Sequence, residues 1–298
     1  MIELTNILCP VDLSDPSRHA LAYALMLARW YESSVTVLEV IQSPVPPTPF
    51  ASTPVTMLTP ADRDELTREL CRFVGAAGSA GISVATTVAE GQVVQEILQQ
   101  ARALPADLVV MGTHGRSGFE RLLLGSVTER LLRKASCPVL TVPPRSAAAP
   151  EHPAPFRNIL CPVDFSPASL NALRYALSLA EESGGHLVLL HVLDWPLDRP
   201  DPSGAGVDLH AHRRRLQDET LQELRVAVPD EARNWCTPTE LVSIGKPYDV
   251  ILATARERDA DLIVMGVHGR HVMELHVFGS TTDHVVREAT CPVLTIRP

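Results

Sequence analysis

The sequence predicts two tandem α/β domains, each a doubly wound parallel sheet of five strands with helices on both faces. The chain has 298 residues, which is long for one α/β domain and sufficient for two of about 150 residues. NILCPVDLS at 6–14 recurs as NILCPVDFS at 158–166, and DLVVMGTHGR at 107–116 recurs as DLIVMGVHGR at 261–270. Within each copy, short apolar segments alternate with helical patterns, which is typical of a parallel sheet covered on both sides.

The spacing of the repeats indicates whole domains. The first pair of segments is offset by 152 residues and the second pair by 154, the same offset that separates ASCPVLTV at 135–142 from ATCPVLTI at 289–296. A solenoid would repeat every 20 to 50 residues or so. We therefore expect a first domain over 1–143, a proline- and alanine-rich linker over 144–156, and a second domain over 157–298.

Local signals place the elements of the first copy. Ser14, Asp15 and Pro16 predict the start of its first helix, because a capping residue and an early proline favour a helix N-terminus. Residues 43–60 are rich in proline and predict an irregular segment. The predicted strands lie at 7–11, 34–40, 83–89, 108–112 and 139–142, and the later helices at 61–77, 92–103 and 127–134.

Charge and composition argue against several classes of protein. The net charge is −9, from 26 basic and 35 acidic residues, which argues against a surface that neutralises nucleic-acid phosphates. No apolar run approaches the roughly 18 residues of a membrane span, and the N-terminal MIELTNILCPVD lacks the pattern of a secretory signal. We therefore expect neither a nucleic-acid partner nor a membrane.

The six cysteines indicate the compartment. None lies in a CxxC pair, and four of them precede proline, namely Cys9, Cys137, Cys161 and Cys291. This arrangement favours a reduced cytoplasm over a disulfide scaffold or a zinc site. We interpret the Cys-Pro pairs as small buried apolar residues before a rigid bend.

The candidate site lies after the strands. Open parallel sheets bind ligands beyond the carboxyl ends of their strands, where the strand order reverses. Asp12 follows the first predicted strand, and after the fourth strand Gly112 and Gly115 are separated by nine residues from Gly125 and Ser126. The second copy repeats this pattern with Asp164, Gly266, Gly269, Gly279 and Ser280.

The residue types in this pattern suit a phosphorylated ligand. Gly112 and Gly115 let the backbone turn sharply and approach a ligand closely. Gly125 and Ser126 open a helix, whose free N–H groups and positive dipole end can hold a polyphosphate. Ser126 can cap that helix or donate its hydroxyl to phosphate. Because like charges repel, Asp12 suits ribose hydroxyls or the donors on an adenine edge rather than phosphate.

At these residues the sequence resembles the universal stress protein family in its tandem two-domain form. The resemblance rests on G-x-x-G-(nine)-G-S after a D-L-V-V-M strand, with V-D after the first strand, and it covers nearly the whole chain. It implies a five-stranded fold like that of the adenine-nucleotide α-hydrolases. In the family's nucleotide-binding branch the pattern holds ATP, so the resemblance implies an ATP-binding stress-response protein acting as a sensor or regulator without fast catalysis.

The resemblance also implies contact residues for ATP, with Mg²⁺ or Mn²⁺ bound through the phosphates as a further option. In the first copy these residues are Pro10, Val11, Asp12, Val40, Met111, Gly112, Gly115, Arg116, Gly125, Ser126 and Val127. In the second copy they are Pro162, Val163, Asp164, Val192, Met265, Gly266, Gly269, Arg270, Gly279, Ser280 and Thr281. The residues of the first and second strands lie near adenine and ribose, and the glycines and helix starts lie near phosphates.

Other functions stay open from the residues alone. The same pocket could serve a slow ATPase or a nucleotidyl-transfer enzyme, although the chain has no Walker G-x-x-x-x-G-K-[ST] motif. A scaffold with a vestigial pocket is the third reading, which the intact glycines of both copies argue against. The glycines could instead be ordinary loop residues, and Asp12 and Asp164 could be helix caps.

Two histidine patterns have competing interpretations. His114 and His268 lie between the paired glycines, where they suit a loop or phosphate hydrogen bond better than catalysis, since neither has a nucleophile motif beside it. Asp208, His210 and His212 resemble a metal spacing. That spacing has no counterpart in the first copy and begins an arginine-rich helix, so the sequence favours no metal site.

The two copies differ in the nine residues between the second and third glycines of the pattern. The first contains Gly118, whereas the second has Val272, which cannot adopt positive φ without strain. We hypothesise that both copies bind ATP and that the first binds more tightly and with less dependence on pH. In the second copy, the histidines that could compensate through phosphate hydrogen bonds are His268, His271 and His276.

The last strand of each copy predicts how the domains assemble. Strands at 139–142 and 293–296 would lie at sheet edges, and open edges favour pairing. Domains of the resembled family pair through this strand, so we expect an intrachain pseudo-dimer with the two last strands antiparallel, and a homodimer as a further possibility. An experimental structure checks this prediction, and two distant last strands would contradict it.

Overall fold

The computed structural model describes residues 2–42, 59–79, 81–115, 124–144, 155–194, 209–269 and 278–298. The chain forms two compact units, one spanning Glu3–Ala154 and the other containing Pro155–Pro298. We call these the first and the second domain. Most of the predicted linker, and of the proline-rich segment predicted over 43–60, lies outside the described residues.

In the first domain, strands and helices alternate along the chain. The elements are β1 (Asn6–Val11), α1 (Asp15–Tyr31), β2 (Ser34–Gln42), α2 (Pro60–Ala76), β3 (Val84–Gly91), α3 (Val93–Ala103), β4 (Leu108–Gly112), α4 (Ser126–Lys134) and β5 (Val139–Val142). Each predicted strand and helix is present, and no predicted boundary differs from the observed one by more than two residues.

The second domain repeats the order. Its elements are β6 (Asn158–Pro162), α5 (Pro167–Ser183), β7 (His186–Leu193), α6 (Leu209–Ala227), a short 3-10 helix (Asp230–Asn234), β8 (Thr239–Ile244), α7 (Pro247–Glu257), β9 (Leu262–Gly266), α8 (Ser280–Glu288) and β10 (Val293–Ile296). The 3-10 helix is the one described element that has no counterpart in the first domain.

Both sheets are parallel and have their strands in the same order. In the first domain the order is β3-β2-β1-β4-β5, and in the second it is β8-β7-β6-β9-β10. The predicted fold class, a doubly wound parallel sheet in each of two tandem domains, is confirmed. The order reverses between β1 and β4 and between β6 and β9, so the candidate residues after these strands lie at the switch points.

The central strands and the first helix of each domain form the core. The four residues of β4 before Gly112 are buried, and β9 is buried throughout. In α1 and α5 the buried faces are rich in alanine, which brings the helix axis close to the sheet. Within the described residues, no helix is long and apolar enough to cross a membrane.

The cysteine of the Cys-Pro pair in the first strand of each domain is fully buried, whereas Cys291 is buried outside the strands and Cys137 is only half-buried. Cys9 of β1 and Cys161 of β6 have 0% exposure, and none of the six cysteines, all within the described ranges, forms a disulfide. Burial raises the pKa of the Cys9 thiol to about 12 and raises that of Cys161 as well, because the apolar surroundings disfavour the thiolate. Both cysteines thus behave as the small apolar core residues that the sequence predicts.

One aspartate in each domain ties the start of the fourth strand to the start of the first. Asp107 Oδ2 accepts hydrogen bonds from the backbone N–H groups of Thr5 and Asn6, at 2.8 and 2.9 Å. Asp261 Oδ2 accepts from the backbone of Arg157 at 2.7 Å and of Asn158 at 3.2 Å. These bonds fix the register of the central strands, whose opposite ends carry the candidate site.

We expect Asp261→Ala to lower the free energy of unfolding by about 1–3 kcal/mol, because it leaves two strand-edge donors without their acceptor. Urea unfolding of the full chain measures the loss. Glu257→Ala, which truncates an exposed side chain at the end of α7, is the matched control and should change stability by less than about 0.5 kcal/mol. Equal effects of both variants would contradict the role assigned to Asp261.

Candidate functional site

A tight turn follows the first strand of each domain and fixes the aspartate there. Ser14 caps α1 by accepting from the backbone N–H of Ser17, and its own hydroxyl donates to Asp12 Oδ1 at 2.5 Å. In the second domain Ser166 caps α5, and its hydroxyl donates to Asp164 Oδ1 at 2.6 Å. The aspartates therefore are not the helix caps. They are held by the caps, with their carboxylates at the carboxyl edge of the sheet.

The residue between aspartate and serine has an unusual backbone. Leu13 has φ of 61° and Phe165 has φ of 60°, in the left-handed region that bulky side chains rarely adopt. Because such a conformation costs about 1–3 kcal/mol, it persists only where the surroundings impose it, and it is common at functional sites. Its presence in both domains shows that the turn is a conserved part of the repeat rather than an accident of one copy.

The paired glycines are needed for close packing, not for positive φ. A Cβ at Gly115 would lie 2.7 Å from Asp12 Oδ2, and one at Gly269 would lie 2.8 Å from Asp164 Oδ2. A Cβ at Gly266 would lie 2.8 Å from the backbone nitrogen of Ser169 in α5. The described glycines with positive φ lie elsewhere. The sequence predicts that Gly112 and Gly115 approach a ligand, whereas the close approaches described for Gly115, Gly269 and Gly266 are to side chains and backbone of the protein itself.

The helix that follows the glycine loop begins without a side-chain cap. Gly125 is the N-cap of α4 and Gly279 that of α8, and neither helix has a side-chain hydrogen bond at its cap. Ser126 and Ser280 are the first helical residues, so the expectation that Ser126 caps the helix is wrong. The first N–H groups of both helices are accordingly not used by a side-chain cap, as an anion site at a helix N-terminus requires.

A threonine in the first turn of each of these helices secures the preceding strand. Thr128 donates its hydroxyl to the Gly112 carbonyl oxygen at 3.0 Å, and Thr282 donates to the Gly266 carbonyl oxygen at 3.0 Å. Sequence reasoning missed both threonines, although they recur at the same distance after each Gly-Ser. The bond holds the helix start against the end of the fourth strand.

In the second domain these elements enclose a pocket of about 500 Å³. Ten of the eleven residues predicted for this copy line it, and the eleventh, Arg270, lies outside the described residues. The ten are Pro162, Val163, Asp164, Val192, Met265, Gly266, Gly269, Gly279, Ser280 and Thr281. His268, which the sequence offers for a loop or phosphate hydrogen bond, also lines the pocket. The remaining lining residues, which were not predicted as contacts, are Ser169, Leu190, His191, Leu193, Asp194, Pro247, Ile251 and Thr282.

In the first domain the predicted residues occupy the equivalent places. Pro10 and Val11 end β1, Val40 lies in β2, and Met111 and Gly112 end β4. Asp12 and Gly115 are adjacent in space, as the glycine geometry shows. Ser126 and Val127 begin α4. Arg116 and Gly118 lie outside the described residues.

The histidines between the glycines are part of the loop. His114 Nδ1 lies 2.9 Å from the Thr113 hydroxyl. His268 is 8% exposed, lines the second-domain pocket, and accepts a hydrogen bond from the Ser166 hydroxyl through its backbone carbonyl at 3.3 Å. Within the parts of the chain that the structure describes, no three histidine, cysteine, aspartate or glutamate side chains converge as a metal site would require. Asp208, His271 and His276 lie outside those parts.

The fold and the site together define a tandem pair of α/β domains, each with a glycine-lined ligand pocket at its switch point. The profile of the universal stress protein family matches residues 3–143 and again 155–297. The chain therefore belongs to the universal stress protein family, a family of stress-response proteins, in its tandem form.

Relatives and solved structures agree with this membership. A universal stress protein of Mycolicibacterium smegmatis is 29% identical over 297 residues, which cover 98% of this chain and 97% of that protein. One from Methanocaldococcus jannaschii is 34% identical over 141 residues, covering 46% of this chain and 81% of that protein. The crystal structure of a universal stress protein from Archaeoglobus fulgidus shares the fold, with a TM-score of 0.68, 24% identity and 99% of each chain covered.

The glycine geometry predicts an order of sensitivity to alanine. Gly266→Ala should lower the free energy of unfolding by about 1–3 kcal/mol, because its methyl group meets the backbone of α5. Gly269→Ala should cost less, since only the end of the Asp164 side chain must move. Gly75→Ala is the control: it meets nothing within 4 Å, lies within a helix and should stabilise the first domain by about 0.5–1 kcal/mol. Urea unfolding gives the order, and a smaller loss for Gly266→Ala than for Gly269→Ala would contradict it.

Proposed function

We propose that each domain binds an adenine nucleotide, with ATP as the physiological ligand, and that the chain acts as a nucleotide-dependent sensor or regulator. The observation that carries the proposal is the second-domain pocket, whose volume of about 500 Å³ suits a small-molecule ligand and whose wall contains ten predicted contact residues. The family membership supports it. The intact pattern in the first domain supports a second site there.

The chemistry of the wall fits the parts of a nucleotide. Ser280 and Thr281 start α8, where backbone N–H groups and the helix dipole favour phosphate oxygens. The Asp164 carboxylate, fixed by Ser166, is an acceptor for ribose hydroxyls or the adenine amino group. Apolar Val163 and Met265 are suited to cover the base. A Mg²⁺ or Mn²⁺ ion would enter bound to the phosphates and would screen their charge.

We base the proposed regulation on the parts of the site that a bound phosphate would contact. Phosphate at the start of α8 would contact the loop that contains His268 and Gly269 on one side and the helix on the other. Occupancy would therefore favour one arrangement of that loop, and a protein partner could read it. We further propose that the protein works in the cytoplasm, which its six reduced cysteines support, and that its domains form the pseudo-dimer expected from the last strands.

The phosphate contact is best tested at the first helical serines. The glycines before them are poor positions, since a Cβ at Gly125 would lie 2.9 Å from the Thr113 carbonyl oxygen and would disturb the backbone. Ser126 and Ser280 are exposed, and an aspartate at a helix start is compatible with the helix.

We expect Ser280→Asp to weaken ATP binding by the second domain at least about ten-fold, because a carboxylate about 4–6 Å from phosphate repels it by a few kcal/mol. Adenosine binding should change by less than about two-fold. Ser280→Asn, which has the same shape without the charge, is the matched control, and Ser126→Asp tests the first domain in the same way. Isothermal titration calorimetry on the full chain measures the affinities of the three variants and of the unmodified protein for ATP and adenosine.

Two outcomes would contradict the proposal. Equal losses of adenosine and ATP in Ser280→Asp would mean that the serine does not lie near phosphate. The absence of any adenine nucleotide, both in the supernatant of the heat-denatured protein and in the titrations, would remove the proposed ligand. Turnover of ATP with Mg²⁺ or Mn²⁺ would instead favour the slow ATPase.

A further inference from the structure

One buried position at the carboxyl edge of the sheet carries a different ionisable residue in each domain. Glu39 of β2 pairs with Val11 of β1. His191 of β7 follows Leu190, which pairs with Pro162 of β6, and so occupies the equivalent place. Glu39 is 5% exposed and His191 is 8% exposed, so both ionisable groups lie inside the protein at the carboxyl edge of the sheet. The repeat conserves the position while changing an acid into a base.

The surroundings of His191 fix the atom at which it titrates. Its Nδ1 lies 2.6 Å from the carbonyl oxygen of Val163. A carbonyl can only accept, so Nδ1 carries a proton in both charge states and Nε2 gains or loses the other. The ring lies 5.1 Å from the ring of Phe165, the residue with the left-handed backbone, and lines the pocket. The imidazole is therefore a rigid part of the wall.

Few other charges share that wall. Among the described residues, the titratable side chains that line the pocket with His191 are Asp164, Asp194 and His268. Helix α7 presents apolar Pro247 and Ile251, and the β8 partner of His191 in register is Val242. His268 has a counterpart in His114 of the first domain, whereas Asp194 stands where the first domain has Gln42. Among the described lining residues, positions 191 and 194 are therefore the two at which the ionisable groups differ between the domains, and a substitution at 191 separates their effects.

We infer that this position sets the ligand charge that each domain favours, an inference that rests on the proposed nucleotide function. With His191 the second domain favours the more highly phosphorylated nucleotide, and with Glu39 the first domain has no such preference. Strand β6 lies between β7 and β9, so His191 is about two strand spacings, roughly 10 Å, from the glycine loop. At that distance, inside a partly desolvated pocket, an imidazolium attracts a polyphosphate without touching it.

The sign of the pH dependence follows from this charge. Protonation of His191 adds a positive charge to the pocket, so the preference for ATP over adenosine increases as the pH falls through the range in which histidine titrates. By linkage, bound ATP favours the protonated imidazole. Glu39 supplies no positive charge at any pH, so an attraction of this kind does not arise in the first domain. The terminal phosphate of ATP gains a proton over the same range, but it does so equally for both sites.

The experiment compares the two sites within the full chain. Ser126→Asp leaves the second site for measurement and Ser280→Asp leaves the first. The affinities for ATP and for adenosine are measured by calorimetry at about pH 6 and pH 8. We expect the ratio of ATP to adenosine affinity at the second site to increase, relative to the first, by about three- to ten-fold from pH 8 to pH 6.

Two substitutions at the equivalent positions test the cause. His191→Asn keeps a side-chain N–H able to donate to Val163 but cannot titrate, and it should abolish the extra pH dependence of the ratio of ATP to adenosine affinity at the second site. Glu39→His should create the dependence at the first site. His191→Asn is the deciding variant if Glu39→His does not fold, which circular dichroism reports.

The outcomes separate the inference from the function on which it rests. An unchanged pH dependence in His191→Asn, or equal dependence at both unmodified sites, would overturn the inference and leave nucleotide binding intact. Failure of the unmodified chain to bind ATP at either pH would overturn the proposed function and the inference with it.

Discussion

In each domain the pocket depends on one hydrogen-bonded turn, in which the capping serine of the first helix also holds the aspartate after the first strand. The 2.6 Å bond from the Ser166 hydroxyl to Asp164 couples the start of α5 to the carboxylate. The other carboxylate oxygen lies so close to Gly269 that an added Cβ would displace the end of the Asp164 side chain. The carboxylate and the glycine loop therefore pack directly against each other in the wall of the pocket.

The duplication shows which parts of this arrangement tolerate change. Both copies retain the serine cap, the left-handed residue, the glycines and the threonine that bonds to the fourth strand, all of which position backbone. Some of the changes fall in the pocket, such as Glu39 against His191. Another lies outside the lining residues, where the stacked rings of Tyr248 and His284, with centroids 4.3 Å apart, replace Val94 and Arg130 of the first domain. The residues that position the backbone and most of the lining are thus constant, and the differences in the pocket are confined to a few side chains.

The fold could be predicted from the sequence almost completely, because its signals are local and occur twice. Continuous apolar strands, the Ser-x-Pro helix start and the repeat of 152 to 154 residues specify the alternation of elements. The sequence also places most of the pocket wall, since residues after parallel strands share one edge of the sheet.

What could not be predicted depends on contacts between residues far apart in sequence. No local signal indicates that Gly269 faces Asp164, or that Gly266 packs on α5, so the sequence explains these glycines by turning and by approach to a ligand rather than by packing within the protein. The role of Thr282 was missed for the same reason, because its partner, the Gly266 carbonyl, is sixteen residues away. Buried Glu39 and His191 resemble ordinary strand residues in the sequence, and only the register of the strands shows that they are equivalent.

The depth of the first strand in each domain has a chemical consequence for the two Cys-Pro thiols. Burial raises the pKa of Cys9 to about 12, so the thiol stays protonated at neutral pH, and thiolates rather than thiols react with peroxides and alkylating agents. Cys71, at an exposed position on α2, has no comparable protection. Oxidising conditions would therefore modify the surface of the first domain long before they reached the strands beneath its pocket, so the architecture of the pocket would outlast chemical damage to the exterior.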